Sequence, residues 1–302
     1  MNADAALVEL LRLLKRADYR FTAVTPATHA RVLARPCERP DLRDIFGWNR
    51  AFAADHLAPD LLQCLSDSGM VDQDGGSLRS KVRAASLGED LLLHSAFPTT
   101  EHDAVFFGPD TYRFVRFARE QPPQLPHVPR WIVDLGAGGG AGAIAAAHLF
   151  PDARVTAVDV NSAALRFAAI NAQAAMVDVE TCQASTIPAG ADLVIANPPY
   201  IIDTQGRAYR DGGELFGGQV ALEWTRQALA ALVQGGTMLL YTGASVVNGR
   251  APLCEALDEA CTGRATIEIE ETDPDVFGKE LDQPAYAEVE RIAVIRATIR
   301  KT

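Results

Sequence analysis

From Trp131 onward, short apolar runs alternate with segments of helical periodicity, and this restricts the chain more than any other feature. Strands are predicted at 131–135, 154–158, 179–183, 192–196 and 237–242. Helices are predicted between and after them, at 141–149, 162–175, 219–233 and 250–262. Two closing strands, 264–271 and 289–299, have no helix between them, so they are expected to pair antiparallel. The pattern is that of a doubly wound, mostly parallel seven-stranded α/β sheet. In such sheets ligands bind outside the carboxyl ends of the strands. The residues just past strand ends are therefore the candidate site.

The first such junction is Asp134-Leu135-Gly136-Ala137-Gly138-Gly139-Gly140. Glycines let the backbone turn sharply and let a ligand approach it. A glycine loop alone is weak evidence and is compatible with a dinucleotide. Two acids favour a cationic ligand. Asp134 lies two residues before the first glycine, and Asp159 ends the next strand 23 residues after Gly136, where an acid can hold both ribose hydroxyls. S-adenosylmethionine is cationic, whereas a dinucleotide brings two phosphates, so the acidic rim suits the former.

The second junction is Asn197-Pro198-Pro199-Tyr200, after the apolar run 192–196. Two prolines stop a strand because neither has an N–H for the ladder. Asn197 is thus predicted at the strand's carboxyl end, facing a cleft. Its side-chain oxygen can accept one N–H of a planar amide or amino nitrogen, and the Pro198 carbonyl can accept the other. Tyr200 can offer a flat surface.

These segments in this order, with V-D-V-N-S-A-A-L-R-F-A-A-I-N at 158–171, resemble the class I S-adenosylmethionine-dependent methyltransferases. Within them the chain looks most like the N-P-P-Y branch: release-factor glutamine N5-methyltransferases and the related small-methyltransferase group, which also acts on ribosomal RNA. Gly108-Pro109-Asp110-Thr111 resembles the R-P-E-T segment of the glutamine enzymes, Asn171 falls where the branch keeps an Asn, and Asp211-Gly212-Gly213 with Gly217-Gly218-Gln219 resembles its D-G-G…G stretch. The resemblance covers about 105–300. It implies S-adenosylmethionine as cofactor, held by Asp134, Gly136, Ala137, Gly138, Gly140, Asp159, Val160 and Asn197. It implies Asn197, Pro198 and Tyr200 as the catalytic group, with Asp110, Pro199 and Tyr200 toward the substrate. The chain departs from the pattern in three places. Asp110 stands for Glu, Gly108 for Arg, and Gln183-Ala184-Ser185 stands where an acid often contacts adenine.

Residues 1–104 carry no quotable resemblance. Helices are predicted at 3–16 and from Pro26 to about Arg35, with short ones near 41–56 and 59–68. A turn at Asp74-Gly75-Gly76, a strand at 78–84 and another at 91–95 complete a mainly helical, winged-helix-like module that would recruit substrate. Arg79, Lys81 and Arg83 alternate along the first of these strands, either as a contact stripe or as a solvated face. A proline-rich connector at 121–130 leads into the methyltransferase domain, 105–302. The segment 273–286, too long for a plain hairpin, is read as a flap over the substrate or as a surface loop. His94 and His102, near the junction, are expected to be satisfied or exposed.

Charge narrows the partners. The chain carries a net −11, and its first 105 residues hold 12 Lys+Arg against 15 Asp+Glu. Acid balance argues against broad nucleic-acid binding. Five cysteines without a C-x-x-C pattern argue against a disulfide framework or a zinc site, and suit a reducing compartment. With no apolar run of membrane-spanning length and no signal-peptide pattern, the expected location is cytoplasmic. The expectation is an N-methyltransferase acting on a glutamine amide of a protein, such as a translation factor or ribosomal protein. The alternatives are an exocyclic base amine of RNA or DNA, and a small molecule. No metal is expected.

Overall fold

The computed structural model describes residues 2–203 and 210–302. Its centre is a seven-stranded sheet whose strands run, in chain order, β5 (Trp131–Leu135), β6 (Arg154–Asp159), β7 (Glu180–Gln183), β8 (Ala191–Ala196), β9 (Leu232–Val246), β10 (Ala265–Asp273) and β11 (Arg291–Lys301). The spatial order is β10-β11-β9-β8-β5-β6-β7. The five strands from β9 to β7 are parallel, and β11 pairs antiparallel with both β9 and β10. The strands therefore arise where the apolar runs predict them. The exception in length is β9, which extends over 15 residues because β11 pairs with it far beyond the end of β8.

Strand β5 is the switch point, with β6 on one side and β8 on the other. The helix α6 (Ala141–Leu149) that follows it is almost entirely Ala and Gly along its buried length. Small residues bring its first turn onto the end of β5: a Cβ on Gly142 would stand 2.7 Å from the Asp134 carboxylate. Helix α7 (Ser162–Ala175) begins at Asn161, whose side chain accepts the N–H groups of Ala163 and Ala164. Helices α8 (Gln219–Ala231) and α9 (Pro252–Cys261) cover the sheet beside β9. Gly217-Gly218 lead into α8, as a cap would.

Ahead of the sheet come α1 (Ala3–Arg16), α2 (Pro26–Leu33), α3 (Leu42–Phe46), α4 (Pro59–Asp67) and two hairpins, β1 (Val71–Asp74) with β2 (Ser77–Ser80) and β3 (Val82–Leu87) with β4 (Asp90–Ser95). The predicted helix 41–56 is only α3 and a 3-10 turn at Ala54–His56, because the chain breaks at Asn49, which has φ 58°. The single predicted strand 78–84 is also two strands. Between them Lys81 donates its backbone N–H to Met70, and the Ser80 hydroxyl bridges to Val82. This corrects the basic stripe. Arg79 donates to the Asn49 carbonyl, Lys81 pairs with Asp72, and Arg83 is buried, donating to the Ser95 carbonyl beside the Phe97 ring. Burial lowers the Arg83 pKa to about 10.

The apolar stripe of α1 (Leu7, Leu10, Leu11, Leu14) is fully buried and shares one core with Phe46, Leu65, Leu93 and with Ala164, Phe167 and Ile170 of α7. A helix stripe needs a partner face to leave water. Here part of that face belongs to the sheet's own helix layer. No helix among the described residues is long and apolar enough to cross a membrane.

Candidate active site

A cleft of about 620 Å³ opens at the carboxyl ends of β5, β6 and β8. It is lined by the glycine loop, Asp159-Val160, Asn197 to Ile201, the segment 102–107, Asp110 and Trp224, among others. The two separated segments of the sequence, the glycine loop and N-P-P-Y, thus meet in one cavity because β5 and β8 are neighbours.

The cofactor half is organised by backbone donors. Gly136 has φ 68°, and a Cβ there would stand 2.2 Å from the Trp224 ring, so the turn requires glycine. Asp159 accepts the Gly138 N–H at 2.9 Å through Oδ2 and the Asn161 N–H at 2.9 Å through Oδ1. Both oxygens keep a second acceptor direction for a ribose. Val160 is exposed at the rim, an apolar edge for a flat ring. Asp134 lines the cleft as expected, but it is almost wholly buried under α6 and accepts the Ala143 N–H at 2.7 Å. Burial pushes its carboxyl pKa up to about 7, against the pull of that N–H, and the nearby Asp159 adds to the rise. Gln183 is turned away, donating to the Val160 carbonyl, and Ala184 and Ser185 face the cleft instead.

At the acceptor half, Asn197 Oδ1 is buried and has no hydrogen-bond partner among the described residues. Leaving such an acceptor unpaired costs about 1–3 kcal/mol. Pro198 is buried behind it. Tyr200 is buried with its ring over Gly243, where a Cβ would come within 2.3 Å. Its phenol points toward the Asp110 carboxylate without an aligned hydrogen bond, and Tyr241 donates to Asp110 Oδ1 at 3.3 Å. Burial raises the pKa of Asp110 and of both tyrosines. Arg113 stands 4.0 Å from Asp110 and 3.1 Å from Asp273.

The segment 273–286 reaches this half. Phe277, exposed and with φ 59°, lies edge-on to Tyr200 at 5.7 Å between ring centres. The segment is anchored by an ion pair from Glu280 to Arg210 and by Tyr286, whose hydroxyl accepts the Ile202 N–H at 2.7 Å. Sequence reasoning missed Trp224 as a cleft residue, since it lies far along the chain on no motif, whereas Phe277 falls in the segment 273–286 read as a flap or a surface loop. His102 is exposed at the rim, as expected. His94 is neither satisfied nor exposed: it is fully buried against Phe107 with both ring nitrogens unpartnered. Among the described residues, no cluster of three or more His, Cys, Asp or Glu could hold a metal ion.

The sheet and the cleft at its carboxyl ends are those that the resemblance to class I S-adenosylmethionine-dependent methyltransferases implies. Residues 123–262 match the family model of the methyltransferase small domain. The chain is similar to release factor glutamine methyltransferases. It is 32% identical over 156 residues to that of Deinococcus radiodurans, covering 47% of this chain and 55% of the relative. It is 35% identical over 133 residues to that of Mycolicibacterium smegmatis (40% and 46%), and 34% identical over 151 residues to that of Escherichia coli (45% and 53%). The chain spans about half the length of the curated relatives it matches. The residues present fit S-adenosylmethionine. The glycine cradle leaves room where a Cβ would fill it, Asp159 offers acceptors for a diol, and Asn197, whose buried Oδ1 is unpaired, lines the same cavity.

Proposed function

We propose that this protein N-methylates the side-chain amide of a glutamine in a protein substrate. The observation that carries this is the buried, unpaired Oδ1 of Asn197 at the end of β8. That acceptor together with the Pro198 carbonyl is complementary to the two N–H donors of an NH₂ group. Bound S-adenosylmethionine supplies an electrophilic methyl group on a sulfonium.

An amide nitrogen is a poor nucleophile because its lone pair is delocalised. Asn197 Oδ1 and the Pro198 carbonyl accept its two N–H bonds and favour the nitrogen on which positive charge builds, an electrostatic effect arranged before reaction. Gripping both N–H bonds also sets the direction of approach, which supplies the proximity term. No strong base is required, since an N-methylated amide cation loses its proton readily. Tyr200 and Phe277 exclude water from this half of the cleft. Asp110 and Pro199 line its wall, with Asp110 toward the substrate's main chain. Residues 1–104 recruit the substrate.

Charge favours a protein over a nucleic acid. The stretch 273–290, which places Phe277 at the acceptor half, has six acids and one lysine. A polyanion approaching that rim is repelled, and a neutral or basic polypeptide loop is not. The test is transfer from methyl-labelled S-adenosylmethionine to a lysate of cells lacking the protein, split into protein, nucleic acid and small-molecule fractions. The expected label is nuclease-resistant, in protein, and on glutamine by mass spectrometry. Label in nucleic acid or in small molecules instead would overturn the reading.

A further inference from the structure

The amide of Asn171 on α7 is fully buried and makes three hydrogen bonds. Its Oδ1 accepts the backbone N–H of Leu93 at 2.8 Å, and its Nδ2 donates to the Leu93 carbonyl at 3.1 Å. The side chain therefore pairs with β4 as a neighbouring strand would. The same Nδ2 donates to the Gly139 carbonyl at 2.9 Å. One amide thus joins the amino-terminal hairpin to the cofactor loop.

The surroundings pack closely against that loop. A Cβ on Gly139 would stand 3.4 Å from both the Leu93 carbonyl and Asn171 Nδ2. Gly140, with φ 82°, packs on Ala168 one turn before Asn171. A second amide repeats the arrangement at the rim. Asn161, whose N–H bonds to Asp159, donates its Nδ2 to the Asp103 carbonyl at 2.8 Å. The segment around Asp103 is itself hung from β4, because Ser95 and Val105 exchange two hydrogen bonds. This segment forms one wall of the cleft.

We propose that Asn171 is a positioning residue for cofactor binding, and that β4 and the segment behind it are part of the cofactor site. This rests on the reading that the cleft takes S-adenosylmethionine. Deleting the amide leaves the Gly139 and Leu93 carbonyls and the Leu93 N–H unpaired, and frees the loop that presents the Gly138 N–H to Asp159. The cofactor must then order the loop as it binds, and its affinity falls.

The test is calorimetric binding of S-adenosylmethionine to the full chain as wild type, Asn171→Ala, Asn171→Asp and Phe167→Ala, with melting temperatures of the ligand-free proteins. Phe167 packs at the same junction, in the apolar core shared by α1 and α7. Both Asn171 variants should raise Kd by about tenfold or more, the equivalent of one buried hydrogen bond. Phe167→Ala should lower the melting temperature and leave Kd within about twofold of wild type. An Asn171 variant that melts lower yet binds like wild type would make the residue merely structural and overturn the proposal. Should both variants fail to fold, amide exchange on the wild type decides. Cofactor should slow the Leu93 amide more than other β4 amides, and equal slowing along β4 overturns the proposal. A wild type that binds no S-adenosylmethionine overturns the reading of the cleft itself, a different failure.

Discussion

Gly138 donates its backbone N–H to the Asp159 carboxylate across 2.9 Å, so the acid that ends β6 holds the loop that ends β5. The residue read as a ribose ligand also shapes the cofactor loop. Asp159→Ala should therefore weaken S-adenosylmethionine binding about tenfold or more, since hydrogen bonds to a charged group contribute about 1.5–3 kcal/mol. Calorimetry checks this, and an unchanged Kd would count against it.

Asn197→Ala removes the buried acceptor and leaves the cofactor loop untouched. Turnover should fall by roughly 10²–10³, the usual loss when one preorganised hydrogen-bonding group is deleted. Cofactor affinity should stay nearly unchanged. A steady-state assay beside a binding titration separates the two, and wild-type turnover would remove Asn197 from the chemistry.

Asp134 gives cofactor binding a pH dependence. Its folded pKa, about 7, lies above the ordinary carboxylate value, so the folded protein keeps a proton that the unfolded chain has lost, and stability falls as pH rises from about 4 to about 7. A cationic ligand in the cleft favours the ionised form. Binding should then release protons near neutral pH, and affinity should rise from pH 6 to pH 8. Calorimetry in two buffers of different ionisation enthalpy measures the release, and Asp134→Asn should abolish it.

His94 and His29 link stability to acid. Burial holds both imidazoles neutral, His29 to about pH 4 and His94 well below its ordinary value. A depressed folded pKa means that stability is complete above about 6.5, the unfolded value, and declines as pH falls below it. The melting temperature should drop between pH 7 and pH 5. His94→Phe, which keeps the stack on Phe107, should flatten that slope.

Phe277→Ala removes an exposed ring at the mouth of the acceptor half. The acceptor KM should rise several-fold with cofactor Kd unchanged, because the ring touches Tyr200 and not the glycine loop. Equal effects on both ligands would make Phe277 a general packing residue.

Much of the sheet was legible because strand and helix periods are local properties. The runs at 131–135 and 192–196 recur as strands within a residue, and the glycine loop and N-P-P-Y follow them as read. The failures have a common cause. The split at Ser80-Lys81 depends on a backbone bond to Met70 and on Asn49, whose amide donates to the Ser80 carbonyl. Neither partner is visible in the alternation of Arg79, Lys81 and Arg83. The length of β9 depends on its pairing with β11, about fifty residues on in the chain.

The sequence alone determined the order of strands and helices, the glycine turn, and the strand-ending Asn197, because these follow from periodicity, backbone freedom and the missing N–H of proline. Only the tertiary structure decided that Asp134 is buried with its carboxyl pKa pushed up, that Trp224 and Phe277 share the cleft, and that Asn171 joins Leu93 to Gly139. Those facts rest on dielectric surroundings and on contacts between residues distant in the chain. Both arise only once the core has closed.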